Sequence, residues 1–82
     1  MTEEVSFSVV EWTDDGGELS DDFPTEAPAR VNFLMRCRTA KDWTECVRLL
    51  RVVREVDDEG DVVGVPEPQL VALWRPGEPL PI

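Results

Sequence analysis

Histidine is absent from this chain of 82 residues, and cysteine occurs only twice. Without histidine, no side chain has an ordinary pKa suited to a general base near neutrality, and a cysteine nucleophile would lack its usual partner. The five glycines are scattered in turns, so the chain has no glycine-rich phosphate loop. We therefore expect neither an enzyme nor a cofactor-binding protein.

The two cysteines, Cys37 and Cys46, are nine positions apart. A zinc site would need carboxylates beside them to reach the usual four ligands, which is uncommon for a structural site. The acidic run 57–61 lacks the spacing and the closing glutamate of a calcium-binding loop. We expect two buried thiols and no metal, although the spacing of the two cysteines also permits a disulfide.

No run of apolar residues approaches the roughly 18 to 20 that a membrane span needs, and no basic-then-apolar leader opens the chain. The expectation is a soluble cytoplasmic protein without a membrane partner. The length predicts one small acidic domain over residues 1–82, with a small core. Within it we expect a loop at about 13–29 and a short extended tail at about 76–82.

Charge is unevenly distributed around a net value of −10. Residues 1–29 hold nine acidic and no basic side chains, whereas residues 30–54 hold seven basic and two acidic ones. Residues 55–82 hold seven acidic side chains and one basic one. Two interpretations stay open: the acidic flanks fold over the basic centre and neutralise it, or the centre binds an anion. The acidity would also suit a high-salt cytoplasm.

The basic centre contains the strongest helix pattern, which predicts a helix at about 40–54. Apolar residues recur there at spacings of three and four. They are Trp43, Cys46, Val47, Leu50 and Val53. On this pattern Trp43 and Leu50 are core residues. The β-branched residues of 51–56 leave a strand beginning there as the alternative.

Other segments are interpreted from alternation and turn residues. Residues 4–12 alternate like a strand with one buried face, and 14–17 is a turn. Residues 18–28 are predicted to be an exposed loop; alternatively they form an arm that orders on a partner, with Leu19 and Phe23 as anchors.

Residues 30–38 alternate and predict a second strand. The alternative is a helix over 25–38, with Thr25 as its cap and Pro28 in its first turn.

After the predicted helix, the acidic run 57–61 is a hairpin turn. Short strands are predicted at 62–65 and 70–74, separated by the prolines of 66–68. The resulting order is ββαββ: an α+β fold with a small antiparallel sheet and one central packing helix. If 25–38 is helical instead, two helices and a hairpin resemble a winged helix-turn-helix in outline.

With catalysis disfavoured, we expect a non-enzymatic, acidic protein-interaction module, one form of which is a nucleic-acid-mimicking inhibitor or regulator. Its partner would be a protein with a basic surface, and the oligomeric state is left open. The candidate binding carboxylates are Asp14, Asp15, Glu18, Asp21 and Asp22.

Two other roles remain as alternatives. The first is nucleic-acid binding through the basic segment 30–54, with Arg48, Arg51 and Arg54 along one side of the predicted helix. The net charge opposes it, since ten excess negative charges repel a polyanion. The second is a structural subunit of a larger assembly.

Overall fold

The computed structural model describes residues 2–81, which form four strands and one helix. The strands make one antiparallel sheet in the order β2-β1-β3-β4. The elements are β1 (Thr2–Thr13), β2 (Glu18–Phe23), α1 (Glu26–Arg38), β3 (Thr44–Val56) and β4 (Val62–Trp74). This architecture confirms the predicted α+β class and the order ββαββ. The winged helix-turn-helix alternative is wrong, because residues 2–81 contain one helix rather than two.

The helix lies where the alternation of residues 30–38 predicted a strand. That prediction is wrong, and the alternative helix with Pro28 in its first turn is confirmed. Thr25 occupies the N-cap position, but its side chain makes no capping hydrogen bond. The buried residues of α1 recur at every fourth position: Ala29, Phe33 and Cys37. Val31 and Met35, which the alternation placed on a buried face, are 66% and 53% exposed.

The predicted helix over 40–54 is likewise wrong, because residues 44–56 form strand β3. Trp43 precedes the strand and is 41% exposed, and Leu50 is only half-buried. Neither is therefore the core residue that we predicted. The alternative prediction of a strand over 51–56 is confirmed, since these residues belong to β3. A central strand carries apolar residues on both faces, and this mixture imitated a helical spacing.

Strand β2 lies inside the segment predicted as an exposed loop, so the loop over 13–29 is wrong at residues 18–23. The turn at 14–17 is confirmed as the connection between β1 and β2. Five of the six residues of β2 are exposed, so hydrophobic alternation could not reveal this strand. Its pairing with β1 holds it in place. Phe23 packs against the core of its own chain, so it is not the free anchor that the alternative of a partner-ordered arm requires.

Strand β4 joins the two short strands predicted at 62–65 and 70–74 into one. The prolines at 66 and 68 do not break it, because it is the edge strand of the sheet and has a neighbour on one side only. Two register shifts against β3 and the positive φ of Gly64 (77°) adapt the strand to these residues.

Helix α1 packs on one face of the sheet, which we call the covered face. The core between them contains Phe7, Val9, Ala29, Phe33, Cys37, Val47, Leu49 and Trp74. The tail after β4 turns back at residues 75–78, where the Trp74 indole Nε1 donates a hydrogen bond to the Glu78 carbonyl oxygen (3.2 Å). The last residue of the predicted tail lies outside the described residues.

The opposite face, the open face, carries the alternate residues of each strand. The β1–β3 ladder keeps its register from Thr2 opposite Val56 to Trp12 opposite Cys46. Since Val9 and Leu49 contact the helix, Val10 and Leu50 point away from it. Among residues 2–81, no helix has the length and apolar character needed to cross a membrane.

Candidate interaction site

The turn between β1 and β2 is held rigid by its own hydrogen bonds. The amide of Thr13 donates to the Gly17 carbonyl (2.9 Å), and the amide of Gly16 donates to the Thr13 carbonyl (3.1 Å). The Asp15 carboxylate accepts hydrogen bonds from the Thr13 hydroxyl and from the Gly17 amide. These two bonds, the hydroxyl first, lower the pKa of Asp15 below its usual value, so this carboxylate is charged at neutral pH.

The loop between α1 and β3 positions Trp43 beside this turn. The Trp43 carbonyl accepts a hydrogen bond from the Asp14 amide (2.8 Å), which joins the loop to the hairpin. A second turn closes the loop, because the Thr44 amide donates to the Lys41 carbonyl (3.0 Å) and the Lys41 amide donates to the Thr44 hydroxyl (2.9 Å). Trp43 is therefore fixed at its backbone while its ring stays partly exposed.

Trp43 and the hairpin enclose an open groove of about 500 Å³, which we call the acidic groove. Its apolar side chains are Trp43 and Leu19, which are 41% and 47% exposed. Its charged side chains are Asp14, Asp15 and Glu18. An apolar surface bordered by carboxylates is suited to a ligand that has both a cationic group and apolar carbons.

The structure brings together three of the five predicted binding carboxylates and separates the other two. Asp14, Asp15 and Glu18 line the acidic groove. Asp21 faces the helix, where the Arg36 Nη2 lies 2.6 Å from its Oδ2. Asp22 lies on the open face and accepts a hydrogen bond from the Ser8 hydroxyl.

Arg36 ties the helix to the first two strands. Its Nη1 lies 3.0 Å from the Oε1 of the buried Glu11, whose Oε2 accepts a hydrogen bond from the Thr44 hydroxyl (2.7 Å). Asn32 accepts a further bond from the Arg36 Nε (3.1 Å). Removing Arg36 would leave the buried Glu11 carboxylate without its ion-pair partner. Arg36, with Glu11 and Asp21, thus supports the interpretation that acidic flanks neutralise part of the basic centre.

The three arginines predicted to form one row do not share a face. Arg48 and Arg54 lie on the open face, whereas Arg51 projects from the covered face, because alternate residues of a strand point in opposite directions. The Arg54 Nη1 donates to the Ser6 hydroxyl (3.1 Å), and the Arg51 Nη1 donates to the Gln69 Oε1 (3.3 Å). The structure therefore divides the predicted cationic row.

The two cysteines are free and buried, as the sequence predicted. Cys37 lies in the core under the helix, whereas Cys46 lies on the open face opposite Trp12, so the sheet separates the two thiols. Burial, reinforced by the nearby Glu11 carboxylate, raises the pKa of the Cys37 thiol to about 11. This thiol is protonated at neutral pH and is therefore a poor nucleophile.

The turn between β3 and β4 brings three carboxylates within 4.8 Å of one another: Asp57, Glu59 and Asp61. Hydrogen bonds explain the shape of this turn, because the Asp57 Oδ1 accepts the amides of Glu59 (2.9 Å) and Asp61 (3.0 Å). The geometry is that of an aspartate-stabilised turn.

Trp43 was not predicted as a member of the site, because its helical spacing with other apolar residues assigned it to the core. Leu19 was named only as an anchor of an arm. No protein-family model, curated protein or solved structure matches this chain.

Proposed function

We propose that this chain is a non-enzymatic interaction module whose acidic groove binds a lysine- or arginine-bearing segment of another protein. The observation that carries the proposal is the exposed ring of Trp43 beside Asp14, Asp15 and Glu18. A nucleic-acid mimic is one form of this module, in which the carboxylates take the place of phosphates on a nucleic-acid-binding partner.

Each part of the groove matches a part of a basic side chain. A lysine or arginine head group is attracted by the face of a tryptophan ring and by carboxylates. Its methylene stem packs on apolar surface such as that of Leu19. The hydrogen bond from the Asp14 amide to the Trp43 carbonyl holds the two sides of the groove together before binding, which lowers the entropic cost of association.

The strength of such a contact is modest. Exposed cation–π contacts and exposed ion pairs each contribute little, so a single basic residue in the groove cannot produce tight binding. We therefore expect a segment with several basic residues, a dissociation constant in the micromolar range or weaker, and a marked dependence on salt. Removing Trp43 should weaken binding by about three- to tenfold.

The experiment is a fluorescence-anisotropy titration of a labelled lysine- and arginine-rich peptide. The groove variants are Trp43→Ala and the double variant Asp14→Asn with Glu18→Gln. Asp15 is left intact because it holds the turn. The matched control is Asp58→Asn with Glu59→Gln, which removes the same charge from the β3–β4 turn.

We expect both groove variants to weaken binding and the control to retain most of it. If the control weakens binding as much as the groove double variant does, or if Trp43→Ala leaves it unchanged, the peptide is responding to net charge and the groove is not its site. An acidic peptide should bind neither the wild-type chain nor the variants.

The cytoplasmic location belongs to the same proposal. Two buried, free thiols separated by the sheet suit a reducing compartment.

A further inference from the structure

The open face of the sheet has no packing partner within the described chain. Helix α1 covers the opposite face, and the tail returns to the helix side, where Pro81 lies near Phe33. Within residues 2–81, no helix or strand packs on the open face. The face nevertheless presents the half-buried Trp12 and Leu50 around the buried Val10.

Most charges of the open face are divided between two strands. Strand β2 presents Glu18 and Asp22, with Ser20 between them, whereas strand β3 presents Arg48 and Arg54. Arg54 stands beside Glu4 of β1, which lies on the same face. Ser20 and Arg48 both pair with Val10, one on each side of β1, so they stand at the same height along the sheet. In the described part of the chain, no carboxylate oxygen lies within 4.0 Å of the Arg48 guanidinium.

We propose that two copies of this chain pack open face to open face around a two-fold axis that runs parallel to β1. This rotation exchanges the two sides of β1, so β3 of one copy lies over β2 of the other. Arg48 then stands opposite Ser20 of the second copy, between Glu18 and Asp22, and the symmetric contact forms at the same time. Val10 and Trp12 of the two copies meet at the axis.

Charge selects this arrangement from the alternatives. Facing sheets pack about 10 Å apart with their strands roughly aligned, a distance that an arginine and a carboxylate bridge together. A two-fold axis across the strands at the height of Val10 would instead place β3 over β3 and bring the two Arg48 guanidinium groups together without a counter-ion. A second copy thus supplies what the open face lacks, which is a carboxylate for Arg48 and an apolar cover for Trp12.

The test is a charge exchange between copies, followed by sedimentation velocity over a wide range of protein concentration. Arg48→Glu and the double variant Ser20→Lys with Asp22→Lys each make the symmetric contact repulsive. We expect each variant alone to weaken self-association by more than about tenfold. Mixed together, they should restore a heterodimer, because both contacts are then attractive. Native mass spectrometry distinguishes that heterodimer from either homodimer.

Arg75→Glu is the matched control for Arg48→Glu, because it makes the same change of charge at an exposed position after β4. Circular dichroism verifies that each variant is folded. Glu18 is left unchanged so that the acidic groove stays intact, and loss of the dimer is thereby separated from loss of peptide binding. The proposal does not depend on the groove.

Three results would overturn the proposal. The first is a wild-type chain that stays monomeric at its highest soluble concentration. The second is a dimer that both interface variants leave intact, which would locate self-association elsewhere. The third is a monomer that binds a single-stranded oligonucleotide in an Arg48-dependent way, which would assign the open face to nucleic acid.

Discussion

Leu49 and Leu50 are neighbours in the sequence but project to opposite faces of β3, so truncating each one tests the strand directly. Leu49 is 0% exposed and lies in the core between the helix and the sheet. Leu49→Ala removes a fully buried side chain and leaves a cavity, so we expect a loss of about 3 to 4 kcal/mol. The whole domain is held by only about 5 to 10 kcal/mol, so this variant should be close to unfolding.

Leu50 lies on the open face and is half-buried. Leu50→Ala removes part of a surface that water already reaches and encloses no cavity, so we expect a loss of about 1 kcal/mol. The two losses should therefore differ by about 2 to 3 kcal/mol, although both variants change the same side chain in the same strand.

The assay is urea denaturation followed by tryptophan fluorescence, with the protein dilute enough to be monomeric. Similar slopes for the two variants would show that the denatured states are comparable. If Leu50→Ala costs as much as Leu49→Ala, or more, then Leu50 rather than Leu49 faces the core. The register of β3 would then be wrong, and the helical spacing of the sequence would regain its support.

Two further predictions concern pH and nucleic acid. The pKa of Cys37 is raised from 9.0 to about 11, so the folded state keeps this proton longer, and stability should be lost as the pH rises from about 9 to about 11. Urea titrations at several pH values in this range should show that the free energy of unfolding depends less on pH in Cys37→Ala than in the wild-type chain. An equally steep pH dependence in the two proteins would contradict the prediction. We also predict no measurable affinity for duplex DNA or RNA at physiological salt, because cationic contacts with phosphates must overcome a net charge of −10. Salt-sensitive binding to a labelled duplex that disappears when Arg48, Arg51 and Arg54 are all alanine would refute this.

Strand β1 was predictable because its alternating sequence and the turn that follows it both match its place in the sheet. Residues 4–12 alternate, and the turn at 14–17 contains the residues that a tight connection needs. The prediction ended β1 within about two residues of the observed limits. Local sequence and tertiary structure agree here, which is the condition for a sequence-based prediction to succeed.

The helix and the central strand were exchanged for a physical reason. Residues 30–38 alternate by chance, while the helix actually buries every fourth residue. The central strand β3 carries apolar residues on both faces: Val47 and Leu49 face α1, whereas Leu50 and Val52 lie on the open face. Its apolar spacing therefore imitates that of a helix. The order ββαββ was confirmed even though both central elements were misassigned.

Only the carboxylates of the candidate site could be predicted from the sequence. Asp14, Asp15 and Glu18 belong to a turn whose local sequence already groups them. Trp43 joins them through a backbone hydrogen bond across 29 positions of the chain, from the Asp14 amide to the Trp43 carbonyl. Contacts of this kind depend on the packing of the whole sheet, and no local pattern reports them.

The two prolines of β4 have a consequence for how molecules of this chain meet. An open sheet edge is a template on which another strand can pair, and unprotected edges lead to aggregation. Here Pro66 and Pro68 leave two positions of one edge with no N–H to donate, and two register shifts disturb the same edge. The other edge is the six-residue β2, which carries Glu18, Asp21 and Asp22. Sideways pairing of the sheet with another strand is therefore disfavoured along both of these edge strands.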